Sequence, residues 1–302
     1  LLQQRDRGAL EVVGRHRVRS DYRRRMRAVP GASDDLDLAL ELAGVADAIT
    51  MARFRAEDLL VETKPDLTPV SEADRAVEQA MREHLASRRP DDTVFGEEYG
   101  DSDGVAGPGP DGTRHHPPRR WIVDPIDGTK GYVRGMPVWA TLLALEDRGE
   151  MVVGVVSAPA MGRRWWAARG SGAFTTDTPD SEPRRLLVSG IRELGDAQMC
   201  WGGFEEWRQT ERLEVLLALA EKCWRTRGYG DFWQYMLVAE GAAEIALDPA
   251  VAVWDVAAPM VIVQEAGGRF TDFAGSETAA GGDGIASNGL VHEPARKILA
   301  GS

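Results

Sequence analysis

A chain of 302 residues with 43% hydrophobic and 28% charged residues has ordinary globular composition and enough apolar material for one large core or two coupled ones. Its net charge of −12 argues against nucleic-acid binding by the folded body, because the nine arginines of residues 1–33 gather positive charge there and leave about −18 on residues 34–302. No run of about 18 apolar residues is present to span a bilayer, no apolar signal region stands at the N-terminus, and Cys200 and Cys223 cannot make a disulfide framework, which together predict a cytoplasmic protein with reduced thiols.

Residues 1–33 begin with Leu and include "RRRMR"; their low apolar content predicts a disordered or artefactual extension, with a basic arm or an Arg-rich targeting peptide as alternatives. Folding proper starts at Ser33, Asp34 and Asp35, N-cap candidates for an amphipathic helix to about Glu57 carried by Leu38, Leu42, Val45, Ile49 and Ala52. "KPDLTPV" interrupts with two prolines, and Ser71 with Asp74 reads as a capping box opening a second helix through about Ala86. "TVFGEEYG" is a short strand ending in an acidic pair, and residues 101–120, rich in Gly, Pro and Asp, read as a loop. "WIVD", "VWATLLALE", "MVVGVVSAPA" and "RRWWAARGSGAF" predict a meander of antiparallel strands. From about residue 190, strands "AQMCWGG", "WRTRGYG", "AEIALD" and "GRFTDF" alternate with helices over 206–224, 232–240 and after Trp254, as in an α/β unit. A boundary near 190 therefore separates an α+β domain over 34–190 from an α/β domain over 191–302.

The chemistry gathers in "WIVDPIDGTKGY", residues 121–132. Pro125 holds Asp124 extended and forces a turn, so that Asp124, the Ile126 carbonyl and Asp127 can point to one side of a strand end as a trap of hard oxygens. Gly128 and Thr129 follow where a helix or tight turn begins, and exposed N–H groups there suit a phosphate. The bland alternative is that Asp124 caps a helix and Asp127 serves a turn. Glu97 and Glu98 in "GEEYG", Asp74 in "VSEAD" and Asp255 in "VWDVAAPM" add carboxylates at other element ends, each explicable alone as a cap or a solvated acid. Convergence of such acids requires cations, because bare clustered carboxylates raise one another's pKa, and oxygen-only ligation favours Mg²⁺ or Mn²⁺ over zinc.

"WIVDPIDGT", "GEE" 27 residues before Asp124, and "VWDVAAPMVIVQEAGG" resemble the inositol monophosphatase superfamily over about residues 35–300. "TKPDLTPVSEAD", "VVSAPA", "RRWWAARG" and "YGDFWQY" are most similar to its bacterial histidinol-phosphate phosphatases. The resemblance implies the five-layered α-β-α-β-α sandwich of the inositol monophosphatase and fructose-bisphosphatase type, a homodimer, and Mg²⁺-dependent hydrolysis of a small phosphate monoester, L-histidinol phosphate, in histidine biosynthesis. Inositol 1-phosphate is the alternative substrate, and a catalytically silent binding or regulatory relative is the alternative of a different class.

Carried over residue by residue, Glu97, Asp124 and the Ile126 carbonyl hold a first cation, Asp124, Asp127 and Asp255 a second, and Asp74 helps with a third. The Gly128 and Thr129 N–H groups take phosphate oxygens, and Thr129 with Asp74 orients and deprotonates the attacking water. Glu98 stands behind Glu97. Lys130 and Gly131 depart from the pattern of many relatives, and Lys130 reads as a solvated surface lysine, with help at the phosphate as the alternative, while His115 and His116 receive no role. Asp231 in "YGDFW" and Asp248, seven residues before Asp255, are the candidates for recognising a cationic substrate, against the plain alternatives of a helix cap and a turn residue.

Overall fold

The computed structural model describes residues 33–65, 68–101, 118–178 and 181–301. The expected extension therefore lies, up to residue 32, outside the described residues, as do residues 102–117 of the expected loop with His115 and His116. Asp101 and Arg119–Arg120, taken as loop, belong to strands.

Ser33 caps α1 (Asp34–Arg53): its Oγ accepts the Leu36 N–H at 3.1 Å. The helix stops before the expected Glu57, as Phe54 turns extended and Arg55 adopts a left-handed φ of 62°. Instead of a plain interruption, the two prolines of "KPDLTPV" flank the turn of a short antiparallel hairpin, β1 (Val61–Thr63) and β2 (Pro69–Ser71). The hairpin leads directly into α2 (Glu72–Arg88), which opens on the expected capping box of Ser71 and Asp74.

Eight strands form the first sheet: β3 (Thr93–Gly96), β4 (Gly100–Asp101), β5 (Arg119–Asp127), β6 (Ala140–Asp147), β7 (Glu150–Ala158), β8 (Arg163–Ala168), β9 (Gly172–Thr176) and β10 (Arg184–Arg185). Their order is β10-β9-β8-β7-β6-β5-β3-β4. From β5 to β10 the sheet is the expected antiparallel meander, but β3 joins β5 in parallel, so the ends of both strands reach the same edge. A short helix, α3 (Thr129–Val133), follows β5.

The second sheet contains β11 (Gln198–Trp201), β12 (Arg225–Gly228), β13 (Ile245–Asp248), β14 (Arg269–Thr271) and β15 (Gly284–Ser287), in the order β12-β11-β13-β15-β14. Only β11, β12 and β13 are parallel; β15 runs against both β13 and β14, so the α/β alternation read from the sequence is a mixed sheet. "GIAS" at β15 is a run of four among turn residues and too short to announce itself. The single helix expected over 206–224 is two, α4 (Phe204–Gln209) and α5 (Leu213–Ala220). They part at Glu211, whose φ is 58°, after Thr210 Oγ1 bonds back to the Glu206 carbonyl at 2.9 Å.

Between the sheets lie α6 (Asp231–Ala239) and α7 (Val253–Glu265), while α8 (His292–Leu299) joins α4 and α5 on the outer face of the second sheet. The layers are thus α1/α2, first sheet, α6/α7, second sheet, α4/α5/α8, the α-β-α-β-α sandwich. One apolar cluster joins α1 and α2 to the outer face of the first sheet, through Leu40, Met81, Trp121 and Val155. A second joins both sheets through α6 and α7, through Leu142, Trp165, Met236, Val261 and Phe270. The change of sheet falls between Arg185 and Gln198, yet this middle layer gives the two halves a common core.

Gly154 sets how closely α7 lies on the first sheet: a Cβ there would stand 2.5 Å from the Ala258 carbonyl oxygen and 3.0 Å from the Val261 Cβ. Gly154→Ala should therefore push α7 outward and cost about 1–3 kcal/mol, the usual range for overpacking. Urea unfolding measures it, and an unchanged midpoint would show that the helix does not rest on this strand.

Candidate active site

Residues three apart in a regular strand face opposite sides of the sheet. Asp124 and Asp127 escape this rule because β5 pairs with Leu142 at Asp124 but with Ala140 at Asp127, three residues against two. The extra residue is a β-bulge at Pro125–Ile126, where Pro125 has no N–H to donate and its carbonyl accepts the Thr141 hydroxyl at 2.8 Å. The bulge resets the parity and brings both carboxylates to one side.

Asp255 reaches the same point from α7. It sits in the first turn, where Oδ2 accepts the Ala252 N–H at 2.7 Å, so its role as a cap and its place in the cluster are compatible. One oxygen each from Asp124, Asp127 and Asp255 lies within 4.8 Å of the others. Asp124 is 2% exposed, and its Oδ1 is buried without a hydrogen-bond partner. Burial, reinforced by Glu97, Asp127 and Asp255, pushes the Asp124 carboxyl well above its ordinary range. Burial likewise raises Asp127, with Asp231 and Asp255 adding to it, although Asp127 Oδ2 accepts the Phe232 N–H at 2.6 Å. These carboxylates require a cation to stay charged together, and an all-oxygen donor set fits a hard divalent ion.

Glu97 and Asp74 stand at the margin of this trio. Glu97 repels Asp124 but bonds to the Lys64 ammonium at 2.8 Å, and the same ammonium lies 2.6 Å from Glu98. Burial opposes the charge on Lys64, yet the two glutamates hold its pKa above the ordinary value. The Glu98 side chain is almost wholly buried, which raises its carboxyl despite Lys64. Asp74 is fully buried behind Thr129. Its Oδ2 accepts from the Ser71 N–H at 2.8 Å and the Ser71 hydroxyl at 2.5 Å, while Oδ1 lies 3.3 Å from Thr129 Oγ1. That hydroxyl is also 2.8 Å from the Ile126 carbonyl. Asp74 is therefore both the capping acid and a neighbour of the site, and burial raises its pKa.

The trio and Glu97 border a cleft of about 530 Å³, whose wall also includes Gly128 and Thr129 at the start of α3. The rest of its wall is acidic as well. Asp231 opens onto it from a left-handed backbone, φ 49°, just after Gly230 takes the N-cap position of α6. The surrounding protein and then Glu206 push the Asp231 carboxyl up to about 6, while Lys130 opposes the shift. Asp248, at the end of β13, is buried and accepts hydrogen bonds from the Tyr235 hydroxyl at 2.7 Å and from Gln234 Nε2. It is no turn residue but the anchor of α6 to the second sheet. Glu205 and Glu206 on α4 complete this wall, and burial raises Glu206. Sequence reasoning missed these two; "FEEW" carries no pattern beyond a helix start. Lys130 is exposed but lines the cleft wall, so it is not a remote surface lysine.

A five-layered sandwich with acids from β5, α7 and the turn after β3 meeting beside a helix start is the architecture of the inositol monophosphatase and fructose-bisphosphatase fold class. The model of the Inositol monophosphatase family matches residues 33–301. The chain is 51% identical over 269 residues to the histidinol-phosphatase of Streptomyces coelicolor, covering 88% of this chain and 96% of that one. It is 51% identical over 260 residues to the histidinol-phosphatase of Mycobacterium tuberculosis, covering 86% and 95%. A solved Thermotoga maritima IMPase superposes with a TM-score of 0.74 at 28% identity, covering 89% of this chain and 98% of that one. The chain belongs to the inositol monophosphatase family.

Burial first, then the neighbouring acids, push Asp248 and Asp255 each up to about 7. Their folded pKa lies above the unfolded value of about 3.9, so the metal-free protein binds more protons than the unfolded chain between about pH 4 and 7. That contribution is fully present below about pH 4 and is lost as pH rises through 7. A divalent cation would take the place of the Asp255 proton at the cluster, whose donor set could hold one. Thermal melts with cation at about 100 times its Kd should show about 2.7 kcal/mol of stabilisation at pH 8. The gain should shrink toward zero at pH 5, and a gain equal at both pH values would mean that the cation binds elsewhere.

Proposed function

We propose that the protein is a Mg²⁺- or Mn²⁺-dependent phosphomonoesterase that hydrolyses L-histidinol phosphate to L-histidinol and phosphate. The observation that carries this reading is the second acidic group in the cleft, Asp231, Asp248 and Glu206, facing the space next to the proposed metal ligands. Histidinol phosphate presents an ammonium and an imidazole beside its phosphate, whereas inositol phosphate presents neutral hydroxyls. Carboxylates suit the first. The two histidinol-phosphatases at 51% identity support the same choice.

In this reading Glu97, Asp124, the Ile126 carbonyl, Asp127 and Asp255 hold the cations, two or three per site with Asp74. When bound, they neutralise the phosphoryl oxygens and lower the pKa of water. The chain itself supplies position. Gly128 and Thr129 open α3 on the cleft wall, where the first N–H groups of a helix have no helical acceptor and suit phosphate oxygens. Thr129 Oγ1, between the Ile126 carbonyl and Asp74, orients the attacking water, and Asp74 takes its proton through that hydroxyl. The elevated pKa of buried Asp74 suits an acceptor of that proton. Attack in line on phosphorus breaks the bond to the ester oxygen, which takes up a proton from water and leaves as L-histidinol. The resemblance also implies a homodimer working in the cytoplasm.

Phosphate release from histidinol phosphate should exceed that from inositol 1-phosphate by at least about tenfold in kcat/KM, and excess EDTA should abolish both; full activity with EDTA would sink the metal reading. Asp127→Asn should lower kcat by at least ~10², the loss of one preorganised electrostatic contact.

Asp231→Asn is the sharper test of substrate, because Asn tolerates the left-handed backbone and Asp231 anchors nothing in the way Asp248 anchors Tyr235. Losing a charge-assisted bond of about 1.5–3 kcal/mol should raise KM for histidinol phosphate by about tenfold or more and leave an uncharged aryl phosphate nearly unaffected. Equal losses for both substrates would make Asp231 structural and favour a neutral substrate.

A further inference from the structure

The turn that carries Glu97 and Glu98 is short, lies between β3 and β4, and has to hold a carboxylate against the mutual repulsion of the acids around it. Its support comes from the far side, from α2. Glu78, one helical turn after Asp74, is fully buried and aims its carboxylate into that turn. Its Oε2 accepts the Glu98 N–H at 2.8 Å and its Oε1 the Tyr99 N–H at 3.2 Å. Arg82, the next turn along, donates to the same Oε1 from Nε at 2.9 Å and from Nη2 at 2.7 Å. Arg82 also reaches the Gly100 carbonyl and, at 3.4 Å, the Val94 carbonyl, so it ties both strands that flank the turn. On the opposite side the Glu97 N–H donates to the Val123 carbonyl at 3.1 Å, one residue before Asp124.

Gly96 has its place for the same reason. A Cβ on Gly96 would overlap the Glu78 carboxylate, so the residue just before Glu97 can have no side chain while that carboxylate occupies its seat. A buried charge bonded to two N–H groups of a turn and neutralised by an arginine is costly to assemble unless it fixes something. What it fixes is the run Glu97-Glu98.

We propose that Glu78, with Arg82 as its counter-ion, is a positioning residue that sets the Glu97 carboxylate for cation binding. This rests on the reading of Glu97 as a metal ligand. Neither side chain borders the cleft, and both act through the backbone of the turn. The two ends of the site then hang from one helix: α2 presents Asp74 to Thr129 from its first turn and Glu78 to the Glu97 turn from its second.

The test is Glu78→Gln, which keeps shape but cannot satisfy two N–H groups and a guanidinium together. Direct Mn²⁺ binding, by calorimetry and by electron paramagnetic resonance of free Mn²⁺, should show a dissociation constant raised by about 10- to 100-fold, the usual effect of removing a partner that orients a metal ligand. The metal concentration for half-maximal phosphate release should rise in parallel, while kcat at saturating metal returns to within a few-fold of wild type. A merely structural role would lower thermal stability and kcat without moving the metal constant. Should Glu78→Gln not fold, Gly96→Ala dislodges the same carboxylate from the other side and is held to the same expectation. A Mn²⁺ constant within about twofold of wild type in the folded variant overturns the positioning role alone. Wild-type protein that binds no Mn²⁺ overturns the metal reading of Glu97 and this inference with it.

Discussion

Mutual repulsion among acids is the constraint on which this structure turns. Asp124, Asp127 and Asp255 approach within a few ångströms in a buried setting, where like charges cannot all remain ionised without a counter-charge. No local sequence preference produces that arrangement, and local preference would scatter the acids to separate caps and turns. The fold overcomes it with a bulge in β5, the first turn of α7, and a middle layer pressed onto the first sheet at Gly154. The apolar clusters on both sides of the first sheet hold the elements that carry these acids in place.

From the same constraint follows a division of labour along the cleft. In the trio, Asp124 Oδ1 is buried without a hydrogen-bond partner, which is a demand for a hard cation. Among the other acids of the wall, Asp248 is already committed to Tyr235 and Gln234, whereas Asp231 is open to the cleft on a left-handed backbone. The first can shape the wall and the second can meet a ligand. Lys130 lines the same wall, and its charge opposes the rise of Asp231 and Glu206.

Several side chains serve two ends at once, and the cost of each is met by the same hydrogen bonds. Asp74 caps α2 with one oxygen and faces Thr129 with the other. Asp255 caps α7 while completing the trio. Placing acids in first helical turns suits the positive end of the helix dipole, which offsets part of the repulsion that the cluster imposes. An argument that a residue is only a cap is therefore no argument against its presence in a site.

Much of this was legible in the sequence wherever chemistry is written in consecutive residues. "WIVDPIDGT" announced the cluster, Ser71 and Asp74 the capping box, Ser33 the start of α1, and the apolar alternation between 139 and 176 the antiparallel meander, because caps, prolines and periodicity act over a few residues. What stayed hidden depends on distant partners. Pro125 already pointed to a break that turns Asp124 and Asp127 to one side, but the β-bulge that accomplishes it is a matter of register against β6. Strand β15 pairs only because β13 and β14 flank it, and α4 and α5 separate at a left-handed Glu211 that no composition marks. Glu206 and Asp231 face one cleft although 25 positions separate them, and Glu78 reaches the Glu97 turn only because α2 lies against the first sheet. Sequence alone determined which residues bear charge and where elements begin; the packing of two sheets around one helical layer decided which charges meet, since proximity across a fold is set by packing and not by spacing along the chain.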